Sequence, residues 1–72
     1  MLREIPFNPS SNILAVTYDD DSSELYVQFK SGKTYRYSLV PAAVADGFSV
    51  AASAGQYLNA AVKDAGYSFS VV

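Results

Sequence analysis

Two segments of alternating polarity, ELYVQFK at residues 24–30 and TYRYSLV at residues 34–40, are joined around Ser31-Gly32. Period-two alternation on both sides of a short Gly-containing connection predicts a β-hairpin. The loop length then decides which side chains share a face. A two-residue loop would mix apolar and polar side chains on each face, whereas a three-residue loop, Lys30-Ser31-Gly32 with Gly32 left-handed, shifts the pairing by one residue.

The three-residue loop gives two coherent faces. One face is apolar and consists of Leu25, Val27, Phe29, Tyr35, Tyr37 and Leu39. The opposite face is more polar and consists of Tyr26, Gln28, Thr34, Arg36 and Ser38. Because a buried face must be apolar along its whole length, we predict this register, with the core on the first face.

Outward from the hairpin, the chain predicts one more strand before it and helices after it. Residues 12–18 are β-rich, and residues 1–11 are rich in turn-forming Pro, Asn and Ser, which predicts an irregular lead-in. Pro41 suits the first residue of a short helix that ends at Gly47.

A second helix is predicted from Ser53, which forms a capping box with Gln56, to Gly66. Residues 67–71 alternate again and predict a closing strand. The expected fold is therefore a single α+β domain over residues 1–72. Its small antiparallel sheet has the order β-β-β-α-α-β, and its helices pack on one face.

Composition limits the classes of protein. A chain of 72 residues that is 50% hydrophobic forms one small core, and it contains no Cys. Subunits could complete one another's cores, so a homo-oligomer is one prediction. No stretch reaches the roughly 18 apolar residues of a membrane span. Neither a membrane role nor a signal peptide is expected, and we predict a cytoplasmic protein.

Several of these segments, taken in order, resemble the KTSC domain. That family is named for the C-terminus of certain lysyl-tRNA synthetases and also occurs as free-standing proteins in bacteria and phages. The similar residues run from Ser10 to about Tyr67: Ser10-Ser11-Asn12-Ile13, Tyr18-Asp19, Leu25 to Phe29, Ser31-Gly32, Tyr35-Arg36-Tyr37, Val40-Pro41, and then Ser53, Gly55, Tyr57 and Asn59. The family's central mark is a Tyr-x-Tyr, matched by Tyr35 and Tyr37. The resemblance implies no established activity, although the synthetase context suggests RNA binding.

Catalysis is not expected from this composition. Without His or Cys, the chain lacks an imidazole base, a thiolate and the ordinary ligands of zinc. The carboxylates cluster at residues 19–21 and Glu24, which we interpret as a solvated turn because the spacing does not continue as a calcium loop. We predict no enzyme activity, no cofactor and no metal.

The predicted binding surface comprises Tyr26, Gln28, Lys30, Lys33 and Arg36, on the polar face and at the hairpin tip. An aromatic ring, a guanidinium and an amide suit a protein interface or a stacked nucleotide. The register predicts that Tyr35 and Tyr37 belong to the core, and a ligand platform is the alternative.

We hypothesise a binding module, a phage or mobile-element regulator that docks on a host protein. Two alternatives stay open. The first is an RNA-binding domain, which the net charge of −2 does not favour. The second is an oligomeric sponge for a small nucleotide signal.

Overall fold

The computed structural model describes all residues from 1 to 72 and contains one five-stranded antiparallel sheet. Its strands lie side by side in chain order: β1 (Leu2–Glu4), β2 (Ile13–Asp19), β3 (Glu24–Phe29), β4 (Thr34–Tyr37) and β5 (Phe69–Val71). The predicted α+β class and antiparallel sheet are confirmed. The observed order has one more strand at the start than the predicted order.

The predicted register of the central hairpin is confirmed. Val27 pairs with Tyr35, and Gln28 pairs with Thr34, so the loop is Lys30-Ser31-Gly32. The amide of Phe29 donates to the carbonyl of Lys33 at 2.8 Å. Gly32 has φ +100°, a left-handed conformation that glycine adopts at no steric cost.

Two helical segments follow the hairpin. Helix α1 (Ala42–Asp46) begins after Pro41, which occupies the cap position, and continues into a 3-10 turn over Gly47–Ser49. Helix α2 (Ala54–Tyr57) begins at Ser53, whose hydroxyl accepts a hydrogen bond from the Gln56 amide as predicted, although the Gln56 side chain does not return the bond.

Helix α2 continues as a π-helical segment over Leu58–Lys63, which the sequence analysis did not predict. The Asp64 amide donates to the Asn59 carbonyl at 2.9 Å, five residues earlier. Left-handed Gly66, with φ +83°, then ends the helix as predicted. No helix here has both the length and the apolar character that a bilayer crossing requires.

The core lies between the helices and one face of the sheet. Its 13 buried residues form one cluster, all of them hydrophobic: Ile5, Ile13, Val16, Tyr18, Leu25, Val27, Tyr37, Val40, Ala45, Phe48, Ala54, Leu58 and Val62. Leu39 was predicted to join this face, and that was wrong. Strand β4 ends at Tyr37, and Leu39 adopts φ +57° and is 79% exposed, because the chain has already turned toward α1.

The irregular lead-in was predicted over residues 1–11, and its first part is instead strand β1. Leu2 pairs with Asp19, and Glu4 pairs with Thr17. Arg3 reinforces this pairing, because its guanidinium contacts Asp20 at 2.7 Å and Asp46 at 2.9 Å. A three-residue strand held by distant carboxylates leaves no local pattern in the sequence.

Candidate functional site

A cleft of about 450 Å³ opens on the helix-covered side of the sheet, between the end of the π-helical segment and the last two strands. We call it the tyrosine cleft, and it is lined by Tyr35, Tyr37, Lys63, Gly66, Tyr67 and Phe69. Strand β4 supplies the Tyr-x-Tyr pair because alternate residues of a strand share a face. Antiparallel pairing then places Phe69 of β5 directly beside Tyr37.

The aromatic rings of this cleft form one contiguous layer. Tyr35 stacks on Tyr37 with 6.3 Å between ring centroids, and on Phe69 with 5.6 Å. Phe29 meets the edge of Tyr35 at 5.4 Å. Such pairs add about 0.5–1.5 kcal/mol each beyond the area they bury, so the walls of the cleft are stiff.

The six tyrosines divide into two groups by the partners of their hydroxyls. Tyr18 donates to the Val40 carbonyl, Tyr57 donates to the Val44 carbonyl, and Tyr26 lies 3.4 Å from a carboxylate oxygen of Glu24. The remaining three hydroxyls, those of Tyr35, Tyr37 and Tyr67, bond to no group of the chain, and all three line the tyrosine cleft. None of these three oxygens is sealed from solvent, since the one fully buried side-chain atom without a partner is Arg36 Nε. The three hydroxyls are therefore open to a ligand that enters the cleft.

Tyr37 is the most buried of the three residues, since only 2% of its surface is accessible. Burial raises the pKa of its hydroxyl, and the neighbouring Tyr35 raises it further. The hydroxyl therefore keeps its proton at neutral pH and offers a hydrogen-bond donor.

A second depression, of about 460 Å³, runs along helix α2 on the side of the β2 start. We call it the amide groove, because the side-chain amides of Asn12, Gln56 and Asn59 stand along it. Gln56 and Asn59 are exposed and their side chains bond to no group of the chain. Each free amide offers both donors and an acceptor, which is the hydrogen-bonding character of a peptide backbone.

The first wall of the amide groove is built by a local turn. The Ser10 hydroxyl accepts from the amides of Asn12 and Ile13 and donates to Asn12 Oδ1 at 2.9 Å. Gly55 faces this turn, and a Cβ on it would stand 3.6 Å from Asn12 Oδ1, which is ordinary contact. Ser10, Asn12, Ser53, Gly55 and Asn59, which carry part of the family resemblance, therefore meet here although they are far apart in the sequence.

Lys63 belongs to both depressions and joins them. Its Nζ lies 6.0 Å from the centre of the Phe29 ring, a favourable position for a cation. It is the last residue of the π-helical segment, and such segments are frequent at functional sites. Lys63 forms no ion pair with the chain, so its charge is available to a ligand.

Charge is segregated between the two ends of the strands. Asp19, Asp20, Asp21 and Glu24 lie at the β2–β3 turn, where Arg3 and the terminal ammonium pair with the three aspartates. Lys30 and Lys33 lie at the other end of β3, roughly 17 Å away for a six-residue strand. The Lys30 amide donates to the Asn12 carbonyl at 2.8 Å, which places the hairpin tip beside the amide groove.

The predicted binding surface is distributed over two places. Tyr26, Gln28 and Arg36 lie on the sheet face that carries no helix, where Tyr26 and Arg36 pair across β3 and β4. Arg36 Nε lies 3.5 Å from Glu24, so its charge is partly compensated. Lys30 and Lys33 are exposed beyond the strand ends, and the Lys30 backbone bonds to Asn12 of the amide groove.

Lys63, Tyr67 and Phe69 were not predicted from the sequence to belong to a site. Tyr67 and Phe69 were predicted to lie in a closing strand over residues 67–71. No feature of the neighbouring sequence indicated that this strand would pair with β4. Their one signal was the concentration of aromatics in Tyr35-x-Tyr37 and Tyr67-x-Phe69, two matching patterns that suit neighbouring strands.

Comparison with known proteins agrees with the architecture. The KTSC domain family matches residues 9–67. A protein of Stutzerimonas stutzeri (strain A1501), described only as uncharacterized, is 35% identical over 60 residues, which cover 83% of this chain and 84% of that one. The crystal structure of a KTSC domain protein from Yersinia pestis superposes with a TM-score of 0.84 at 29% identity, covering 100% of this chain and 99% of the other. The chain therefore belongs to the KTSC domain family.

Proposed function

We propose that the chain is a small binding module that docks on a partner protein by taking an acidic, extended segment of that protein along helix α2. The segment's carboxylate enters the tyrosine cleft, and its backbone lies in the amide groove. The observation that carries this proposal is the set of three tyrosine hydroxyls without partners around one cleft. As a regulator, the module acts by occupying the segment and not by changing it chemically.

The chemistry of the cleft favours a carboxylate. The hydroxyls of Tyr35, Tyr37 and Tyr67 can donate hydrogen bonds, and Lys63 supplies a positive charge beside them. Hydrogen bonds to a charged group contribute about 1.5–3 kcal/mol, roughly twice the contribution of neutral ones. An acidic side chain satisfies both the donors and the cation, whereas a basic one would leave the donors unused.

The amide groove favours an extended backbone next to that carboxylate. Asn12, Gln56 and Asn59 can each bond to a peptide N–H or C=O, and Phe29 and Leu58 provide an apolar floor. Lys30 and Lys33 stand at the end of this path and attract acidic residues that flank the anchor. The site favours RNA less, because few cations face this path and binding of a phosphate chain requires many.

The experiment is selection from a displayed library of random peptides, followed by titration of the selected peptides. We expect enrichment of peptides that contain Asp or Glu beside uncharged residues. Lys63→Gln and Tyr67→Phe should each weaken binding by about tenfold, as expected for the loss of one charge-assisted hydrogen bond. Both side chains have exposed or half-buried positions, so the fold should survive.

The matched control variants, Tyr26→Phe and Arg36→Gln, lie on the opposite sheet face. They should bind the selected peptides as tightly as the parent chain. If the controls lose binding and the cleft variants keep it, the surface predicted from the sequence is the site. Enrichment of basic peptides, or no enrichment at all, would contradict the acidic-segment proposal.

The same protein should be titrated with a single-stranded oligoribonucleotide. Binding that falls steeply with salt would restore the RNA hypothesis and direct attention to Lys30, Lys33 and Arg36. A nucleotide that co-purifies with the parent chain and is absent from the Tyr67→Phe variant would favour the sponge hypothesis.

A further inference from the structure

The two edges of the sheet differ in how they are protected. Edge strand β1 is Leu2–Glu4, and it carries Arg3 and Glu4, charges of the kind that prevent edge-to-edge pairing. Edge strand β5 is Phe69–Val71, and the run from residue 68 to residue 72 contains no charged side chain. Phe69 is 59% exposed and Val71 is 58% exposed. An uncharged, β-branched and aromatic edge is a template for another strand.

The backbone of β5 leaves hydrogen-bonding groups free on its outer side. The Ser68 carbonyl accepts from Ser38, and the Val72 amide donates to Thr34, so the even-numbered residues bond to β4. In an antiparallel ladder the alternate residues point the other way. The N–H and C=O groups of Phe69 and Val71 therefore face outward, where the sheet ends.

We infer that two copies of this chain pair through β5, antiparallel, with a two-fold axis at Ser70. In that register Phe69 lies opposite the second copy's Val71, and all four outward groups of one copy meet four of the other. Aromatic and β-branched residues are favourable cross-strand partners. No like-charged side chains meet, because this strand carries none, and the same patch serves both copies as a closed dimer requires.

The pairing joins two five-stranded sheets into one and removes both open β5 edges. The axis stands perpendicular to the sheet, so the helices of both copies lie on the same side. Phe69 is a wall of the tyrosine cleft, and the second copy's Val71 packs against it. The two clefts then adjoin across the axis, and one long acidic segment or two short ones would be held side by side. The dimer is weak, because a three-residue strand forms a small interface.

The test exploits the position of Ser70. Its side chain lies on the helix-free face, beside Arg36 of β4. In Ser70→Glu, the new carboxylate meets the Arg36 cation within its own chain, which favours the monomer fold. Across the two-fold axis the two carboxylates face each other, which disfavours the dimer.

Sedimentation equilibrium over a wide range of protein concentration, up to the millimolar, measures the association. We expect a monomer–dimer equilibrium for the parent chain and a dissociation constant raised about tenfold or more in Ser70→Glu. Ser70→Lys should raise the dissociation constant likewise. An equal mixture of the two variants should dimerise, because opposite charges then meet across the axis. Val50→Glu adds the same charge at an exposed site outside β5 and should leave the equilibrium unchanged.

A parent chain that stays monomeric throughout, or a Ser70→Glu variant that dimerises as the parent does, would overturn the inference. Circular dichroism and the unfolding midpoint show whether each variant is folded. Neither result tests the peptide-binding proposal, since peptide binding is measured separately with the Lys63 and Tyr67 variants of the monomer.

Discussion

Gly47 lies directly against the hydroxyl end of Tyr57, so close that a Cβ on residue 47 would overlap the ring. The hydroxyl passes this glycine to donate to the Val44 carbonyl at 2.5 Å. The ring also meets the edge of Phe48 at 4.7 Å. The glycine therefore joins α1 and the 3-10 turn to helix α2 by allowing a close approach, and its φ of −61° requires no special conformation.

We expect Gly47→Ala to lower the free energy of unfolding by about 1–3 kcal/mol, because it over-packs a site that has no spare volume. Urea denaturation of the variant measures the loss. Tyr57→Phe removes the closest of the clashing atoms and leaves the ring, so the double variant should be more stable than the sum of the two single losses predicts. Strict additivity would show that the close approach is not the cause.

The tyrosine hydroxyls give a second prediction, which separates folding from binding. Tyr18→Phe should cost about 1–3 kcal/mol of stability, because it leaves the buried carbonyl of Val40 without its donor. Tyr37→Phe should cost far less, because that hydroxyl bonds to nothing in the chain. Thermal unfolding of the two variants side by side compares them. An equal loss in both would mean that the Tyr37 hydroxyl serves the fold and not a ligand.

Two glycines are expected to respond to alanine in opposite directions. Gly55→Ala should stabilise the chain by up to about 1 kcal/mol, since the residue lies in helix α2 with room for a Cβ. Gly32→Ala should destabilise it by about 1–2 kcal/mol, since φ is +100° there. Chemical denaturation measures both. If Gly55→Ala were strongly destabilising, the space beside Asn12 would be tighter than the structure shows.

Low pH should weaken the ion pairs that join β1 to the β2–β3 turn. The hydrogen bond from Arg3 holds the pKa of Asp20 below its ordinary 3.8, and the N-terminal ammonium lowers the pKa of Asp19 likewise. A carboxyl with a lowered pKa in the folded state stabilises the fold above its unfolded pKa. That contribution is lost as the pH falls through the folded value.

The unfolding midpoint of the parent chain should therefore fall as the pH decreases below about 4. Arg3→Gln should show a shallower dependence over the same range, because the largest cause of the lowered Asp20 pKa is then removed. Identical pH profiles for the two chains would contradict this account.

The hairpin could be predicted from the sequence because strand parity leaves only two registers, and only one of them gives an apolar face. The chosen register also predicted that Tyr35 and Tyr37 share a face of the sheet with Val27. Leu39 was predicted wrongly, because alternation in the sequence continues past the residue where the backbone leaves the sheet. A pattern of side chains does not report a left-handed φ.

Strand β1 and the π-helical segment left no local signal of their own. Leu2–Glu4 is too short to alternate. Its place in the sheet depends on backbone pairing with β2 and on the ion pairs of Arg3 with Asp20 and Asp46, which lie distant in the chain. The tyrosine cleft could not be predicted for a related reason. It exists because β5 pairs with β4, and the free state of the Tyr37 hydroxyl depends on which atoms surround it in three dimensions.

The separation of charge along β3 gives the molecule an electric dipole that its net charge conceals. A net charge of −2 predicts repulsion of an acidic partner at long range. At approach distances comparable to the Debye length, about 8 Å in physiological salt, the charges at the nearer end of the molecule determine the electrostatic interaction with a partner. The electric field of an acidic partner then orients the chain so that Lys30, Lys33 and Lys63 face the partner. The amide groove faces it as well. For the proposed acidic segment, productive collisions should therefore be more frequent than the total charge predicts, and added salt should slow association by removing the orientation.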